Sequence, residues 1–196
     1  MPQKTTNIFV AGVGGQGIIK FSNLLCEVAM RAGLDVKKSE IHGMAQRGGS
    51  VTTHVRFGKK VYSPLIPQGS ADFLVSMEHL ESVRHIAFLD REKGRLIYDT
   101  YEIDPPEVYT AQRTYPEDIE ERLARLAPNR ISIPAFENAL AIKNPRAQNV
   151  IMLGALSTYL SFDDSLYEEA IKRGFKEKYV DSNLKAFLLG KELAKG

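Results

Sequence analysis

The feature that most constrains this chain is a short apolar run ending in a cluster of glycines. Residues 7–12, Asn-Ile-Phe-Val-Ala-Gly, are rich in strand formers and read as a buried strand. The sequence Gly12-Val13-Gly14-Gly15-Gln16-Gly17 follows and fits the pattern G-x-G-x-x-G. Residues 18–32 then place Ile18, Phe21, Leu25, Val28 and Ala29 at helical spacing, and Gly33 ends the run. Residues 35–41 read as a second strand. A strand, a glycine loop, a helix and a strand in that order open a parallel α/β sheet. The expected fold class is therefore α/β. It is a single Rossmann-like domain over residues 1–196, with a mostly parallel sheet flanked by helices and a hairpin addition.

The hairpin is expected after the second strand. Residues 50–57 alternate, with Val51, Thr53, Val55 and Phe57 on one face, and Gly58-Lys59-Lys60 reads as a turn before a short strand at 61–63. Further strands are expected at 71–77, 95–99 and 131–134. Helices are expected at 78–90, from Pro116, at 148–160, at 164–173 and at 181–195. Residues 101–115 are the least regular, and Asp104-Pro105-Pro106 marks a loop.

Glycines let a backbone turn tightly and approach a ligand closely. The helix N-terminus behind them presents free amide hydrogens to an anion. Gly12, Gly14, Gly15, Gln16 and Gly17 are therefore candidates for binding an anionic cofactor group. A dinucleotide would also want an acid near the end of the second strand, about 20 residues on. Glu40 lies beyond that point and Asp35 at the strand's start, so neither is well placed. The competing reading is that the glycines only let helix and strand pack closely.

The most unusual stretch is Glu40-Ile41-His42-Gly43-Met44-Ala45-Gln46-Arg47-Gly48-Gly49-Ser50. It gathers His, Gln, Arg and Ser between glycines at the carboxyl end of a strand, where ligands of open α/β sheets bind. Arg47 offers a planar fork to a carboxylate or phosphate. His42 can donate a hydrogen bond or move a proton near neutral pH. These two are the catalytic candidates, and Gly43, Gln46, Gly48, Gly49 and Ser50 are the candidates for contact with substrate. Against this stand a core histidine, an interface ion pair and a plain turn. His54 and His79 have no metal-ligand spacing. Ser50 has no acid–base partner near it in sequence. Glu78 and Glu81 sit where a helix dipole alone favours acids.

Composition narrows the function. The net charge is +2, and no basic stripe is interleaved with aromatics, which argues against nucleic acid. No run is long and apolar enough for a membrane span, and the N-terminus lacks a signal-peptide pattern. The single cysteine, Cys26, cannot hold an iron–sulfur cluster or a structural zinc. The expectation is a cytoplasmic chain whose redox chemistry, if any, runs through another subunit.

The glycine loop together with His42-Gly43-Met44-Ala45-Gln46-Arg47-Gly48-Gly49-Ser50-Val51 resembles the gamma-type domain of 2-oxoacid:ferredoxin oxidoreductases. The second motif is similar to that of the indolepyruvate branch, where the domain is a separate beta subunit. Ala71-Asp72, Glu78, residues 149–156, Asn183 and Ala186-Phe187 fit as well, so the resemblance covers nearly the whole chain. It implies oxidative decarboxylation of an aryl pyruvate with coenzyme A to an aryl-acetyl-CoA, CO2 and reduced ferredoxin. It further implies a large alpha subunit as partner, holding thiamine diphosphate and iron–sulfur clusters, with no cofactor bound by this chain alone. The alternatives are a self-contained NAD(P)-binding oxidoreductase and a non-catalytic scaffold subunit.

Overall fold

The computed structural model describes residues 5–42, 48–104 and 114–195, with His42 described in its backbone only. The first strand, β1 (Thr6–Val13), is buried on both faces over most of its length, as its unbroken apolar sequence requires. Helix α1 (Ile18–Arg31) buries Phe21, Leu25, Val28 and Ala29 along one stripe. It ends at Ala32 and Gly33, the latter at φ +78°. The chain continues through β2 (Asp35–His42), β3 (Ser50–Gly58), β4 (Phe73–Ser76), α2 (His79–Arg84), β5 (Arg95–Tyr98) and α3 (Ile119–Leu126). It closes with β6 (Arg130–Ser132), α4 (Ala135–Ala141), α5 (Gln148–Ser157), α6 (Asp164–Gly174) and α7 (Glu177–Leu193).

The six strands form one sheet in the order β2-β3-β1-β4-β5-β6. Strands β1, β4, β5 and β6 pair in parallel, and β3 runs antiparallel between β1 and β2. Alternate β1 side chains feed two cores. Ile8 and Val10 join α1, α5, α6 and α7 on one face, while Phe9 and Ala11 join α2 and α3 on the other. Every residue of α5 is buried. Its Gly154 lets α7 approach so closely that a Cβ there would lie 2.1 Å from the Phe187 carbonyl oxygen. Gly190 of α7 does the same against Ile151, at 1.9 Å.

The α/β class and mostly parallel sheet are as expected. Local arrangements differ in four places. The second strand does not lie beside the first, because β3 intervenes. The connection between His42 and Ser50 is too short for a crossover, so β3 must return antiparallel to β2. The hairpin is therefore β2–β3, and no strand forms at 61–63. There Asp35 Oδ2 accepts from the Val61 amide at 2.9 Å. The Arg56 guanidinium donates to the Ser63 and Leu65 carbonyls at 2.9 and 3.0 Å, so the chain leaves the sheet. The helix expected at 78–90 stops at Arg84. A 3-10 turn, Ile86–Phe88, then lets Leu89 bridge back to Ala71. Helix α4, unexpected from the sequence, starts directly after Pro134, whose fixed φ suits a helix entry.

Candidate functional site

The carboxyl ends of β1, β4, β5 and β6 gather several loops at one end of the sheet, where an open α/β sheet leaves room for a ligand. The two glycine motifs meet there. Ser50 pairs with Val13 in register, and the Gly14 amide donates to the Gly49 carbonyl at 2.9 Å. The Gly48 amide reaches Gly14 O at 3.5 Å. His42 ends β2 opposite Val51. Gly43, Gln46 and Arg47 lie outside the described residues, as does the side chain of His42.

The glycine loop divides by role. Gln16 folds back so that its Oε1 accepts from the Val13 amide at 2.7 Å, and its Nε2 donates to the Met77 carbonyl at 2.6 Å. A Cβ on Gly12 would come within 2.8 Å of that Oε1, so Gly12 makes room for the fold-back. Gly17 is the N-cap of α1 at φ +83°. Asn149 Nδ2 donates to its carbonyl at 3.1 Å, and a Cβ there would meet that nitrogen at 2.3 Å. Gly12, Gln16 and Gly17 thus hold the fold together. Gly15 is exposed, adopts φ +110°, and has open space before it. With the half-buried Gly14 it forms the face of the loop that a ligand or partner can reach.

Ser50, isolated in sequence, has close partners in space. Its hydroxyl donates to Glu81 Oε2 at 2.5 Å and lies 3.2 Å from His85 Nε2. His85 Nε2 is also 3.2 Å from the same Glu81 oxygen, and Arg84 donates to Glu81 Oε1 at 2.6 Å. In a Ser-His-acid relay the serine and the carboxylate occupy opposite ring nitrogens. Here one nitrogen faces both, so the cluster anchors Ser50 and does not activate it. Burial pushes the Glu81 carboxyl up, but the hydrogen bonds from His85, Ser50 and Arg84 outweigh it and hold the group below its ordinary value.

Glu78 is equally buried. Its Oε2 caps α2 by accepting from the Glu81 amide at 2.8 Å. Its Oε1 accepts from the Tyr115 hydroxyl at 2.7 Å and the Ile103 amide at 3.1 Å. Burial dominates here and raises its carboxyl pKa. Asp99 also sits high because of burial, and it accepts from Gln148 Nε2 and the Phe136 amide, both at 2.8 Å. Glu78, Glu81 and Asp99 are the polar residues that sequence reasoning missed or set aside. The available signal was weak: two acids close together after an apolar strand, with partners more than 30 residues away.

β3 separates β2 from β1, so the end of β2, where a dinucleotide's acidic ribose partner would be expected, does not lie beside the glycine strand. Lys38 Nζ pairs with Glu40 at 2.5 Å. Among the described residues no group of three His, Cys, Asp or Glu side chains is placed to hold a metal, and no helix is long and apolar enough to cross a membrane.

Residues 7–193 match the family model described as pyruvate ferredoxin/flavodoxin oxidoreductase. Indolepyruvate oxidoreductase subunit IorB of Archaeoglobus fulgidus is 44% identical over 188 residues, covering 94% of this chain and 92% of that protein. A 2-oxoglutarate:ferredoxin oxidoreductase from Magnetococcus marinus, solved with 2-oxoglutarate, coenzyme A and succinyl-CoA bound, superposes with a TM-score of 0.76 at 26% identity. The match covers 98% of this chain and 31% of that one. The gamma subunit of a keto/oxoacid ferredoxin oxidoreductase from Geobacter sulfurreducens shares the fold, with a TM-score of 0.72 at 21% identity over 97% of this chain and 98% of that one.

Proposed function

We propose, from the premise that this chain belongs to the pyruvate ferredoxin/flavodoxin oxidoreductase family, that it is the small subunit of an indolepyruvate-type 2-oxoacid:ferredoxin oxidoreductase. It positions substrate at the active site of a larger partner and is inactive alone. The observation that carries this reading is the Gly14–Gly49 hydrogen bond, which joins the glycine loop and the end of the 42–50 segment into one surface. In the assembled enzyme that surface closes over the partner's reaction centre. Arg47, His42 and Gln46 serve the substrate carboxylate or an anionic group of coenzyme A. Gly43, Gly48 and Gly49 allow close approach, Ser50 fixes the segment's end, and the Gly14 and Gly15 amides face an anionic group or a partner loop.

The iron–sulfur clusters belong to the large alpha subunit. The only cysteine here, Cys26, lies inside α1, and burial pushes its thiol up to about 11, so it is no thiolate ligand. Thiamine diphosphate, in the same partner, supplies the electron sink for decarboxylation. Ferredoxin takes the electrons through the complex, and the acyl group leaves on coenzyme A.

The test is reconstitution with a cysteine-rich, thiamine-binding partner, followed by dye reduction dependent on indolepyruvate and coenzyme A. Arg47→Ala lowers turnover about 100-fold or more while assembly persists, the scale of a lost oriented contact in the transition state. Full activity in that variant refutes the active-site role. Inactivity of the complex on every aryl pyruvate refutes the substrate class. Binding of NAD(P) to the isolated chain would favour a self-contained oxidoreductase, and tolerance of substitutions in both glycine motifs would favour a scaffold.

A further inference from the structure

A cavity of about 670 Å3 opens at the far end of the sheet, among the amino ends of β1, β4 and β5 and the α5–α6 connection. A strand of eight residues spans roughly 25 Å, so this cavity is well removed from the glycine loop. Its apolar part is aromatic. Phe73 and Tyr159 have ring centroids 6.3 Å apart, and Phe162 tilts against the buried Phe57 at 5.4 Å. Its charged part is mainly cationic: Lys59, Lys93 and Arg95 outnumber one carboxylate, Asp72. The Arg95 guanidinium lies over the Tyr159 ring, 4.4 Å from its centroid, which holds the planar fork in place. None of the three cations has a carboxylate ion-pair partner among the described residues, and the Asp72 carboxylate in the same lining accepts from the Asn7 amide at 2.8 Å.

We infer that this cavity is a second ligand site, for a small aromatic carboxylate. Its volume falls within the usual range of about 300–1,000 Å3 for small-molecule pockets. An aromatic ring on Phe73, Tyr159 and Phe162 leaves a carboxylate within the field of Arg95 and the two lysines. A neutral ring forfeits the charged contacts, and a cationic one is repelled.

The chain contains no tryptophan, so an indole probe can be followed by its own fluorescence. The test is fluorescence anisotropy of indole-3-acetate titrated with the full chain, repeated with indole and with tryptamine. The expected result is saturable binding of indole-3-acetate, weakened about tenfold or more in Arg95→Gln and measurably in the rim variant Lys93→Gln. Indole binds at least about tenfold more weakly, and tryptamine does not compete. No saturable signal at about 1 mM protein, a Kd near the weak limit of specific recognition, overturns the proposal. So does unchanged affinity in both variants. Affinity lost in Arg47→Ala but kept in Arg95→Gln would place the probe at the glycine loop instead. Activity of the reconstituted complex reads the proposed function separately, so the two can fail independently.

Discussion

Replacing Glu81 by glutamine tests whether the return of the 42–50 segment is held by charge. The carboxylate is 1% exposed and accepts from Ser50, His85 and Arg84. Glutamine keeps the shape but leaves one acceptor oxygen, and its amide nitrogen fits only if Ser50 or His85 turns from donor to acceptor, with the charge lost in either case. The Arg84 contact is half-exposed and worth at most about 1 kcal/mol. Hydrogen bonds from Ser50 and His85 to a buried charge contribute about 1.5–3 kcal/mol each, and glutamine retains part of one. The net loss is about 2–4 kcal/mol, or about 5–15 °C in Tm for a chain of this size. The sign with pH follows from the lowered carboxyl. A carboxylate held below its unfolded pKa stabilises the fold above that value, and the contribution is lost as pH falls through the folded pKa. The gap between wild type and Glu81→Gln should be full near pH 7, begin to narrow near about pH 4.5, the unfolded carboxylate range, and close as pH falls through the lowered folded value. Thermal unfolding followed by circular dichroism across that range measures it. A variant within about 1 kcal/mol of wild type near neutrality, or a gap that ignores pH, refutes the reasoning.

Gly190→Ala forces a Cβ to within 1.9 Å of the Ile151 carbonyl oxygen, and should cost about 3 kcal/mol or more in urea unfolding by prising α7 from α5. His54 is held neutral chiefly by burial, with Arg56 and His85 adding repulsion, while its Nδ1 accepts from the Ile66 amide at 3.0 Å. Its folded pKa lies below 6.5, so its contribution is present above that pH and lost as pH falls through the depressed value. His54→Asn should flatten the fall of stability on the acid side, and an unchanged slope would refute the assignment. Cys26, with its thiol pushed up to about 11, should resist alkylation by iodoacetamide in the folded chain and react once denaturant opens α1. Fast labelling of the native chain would show that the helix is not packed as described.

The opening of the fold was legible because its signals are local. The apolar run, the glycines and the 3.6-residue stripe of α1 lie within thirty residues, and the helix forms at 18–31 as the spacing predicts. The place of β3 was not legible, since pairing order is decided by connection length and by which faces end up buried. Both faces of β3 are covered: Thr52 and His54 are buried beside Val51, Thr53 and Val55. Its alternation therefore described only one of two packed surfaces. The site divided in the same way. Glycine spacing marked a close approach, but not which approach. At Gly12 it is toward Gln16 and at Gly17 toward Asn149, while Gly15 faces open space. Ser50 and Glu81 were each visible but not as a pair, because 31 residues separate them.

The register between β2 and β3 has a practical meaning. His42 pairs with Val51, and Ser50 pairs with Val13, so the connection leaves and re-enters the sheet at fixed, adjacent points. The positions that flank residues 43–47, His42 on one side and Gly48-Gly49 bonded to Gly14 on the other, are therefore fixed. A segment of different sequence or length can be grafted between those two anchors without re-registering a strand, because lengthening a loop costs only about 0.6 kcal/mol per doubling. On the function proposed above, exchanging this segment between related chains should change substrate preference while the rest of the subunit is left as it stands.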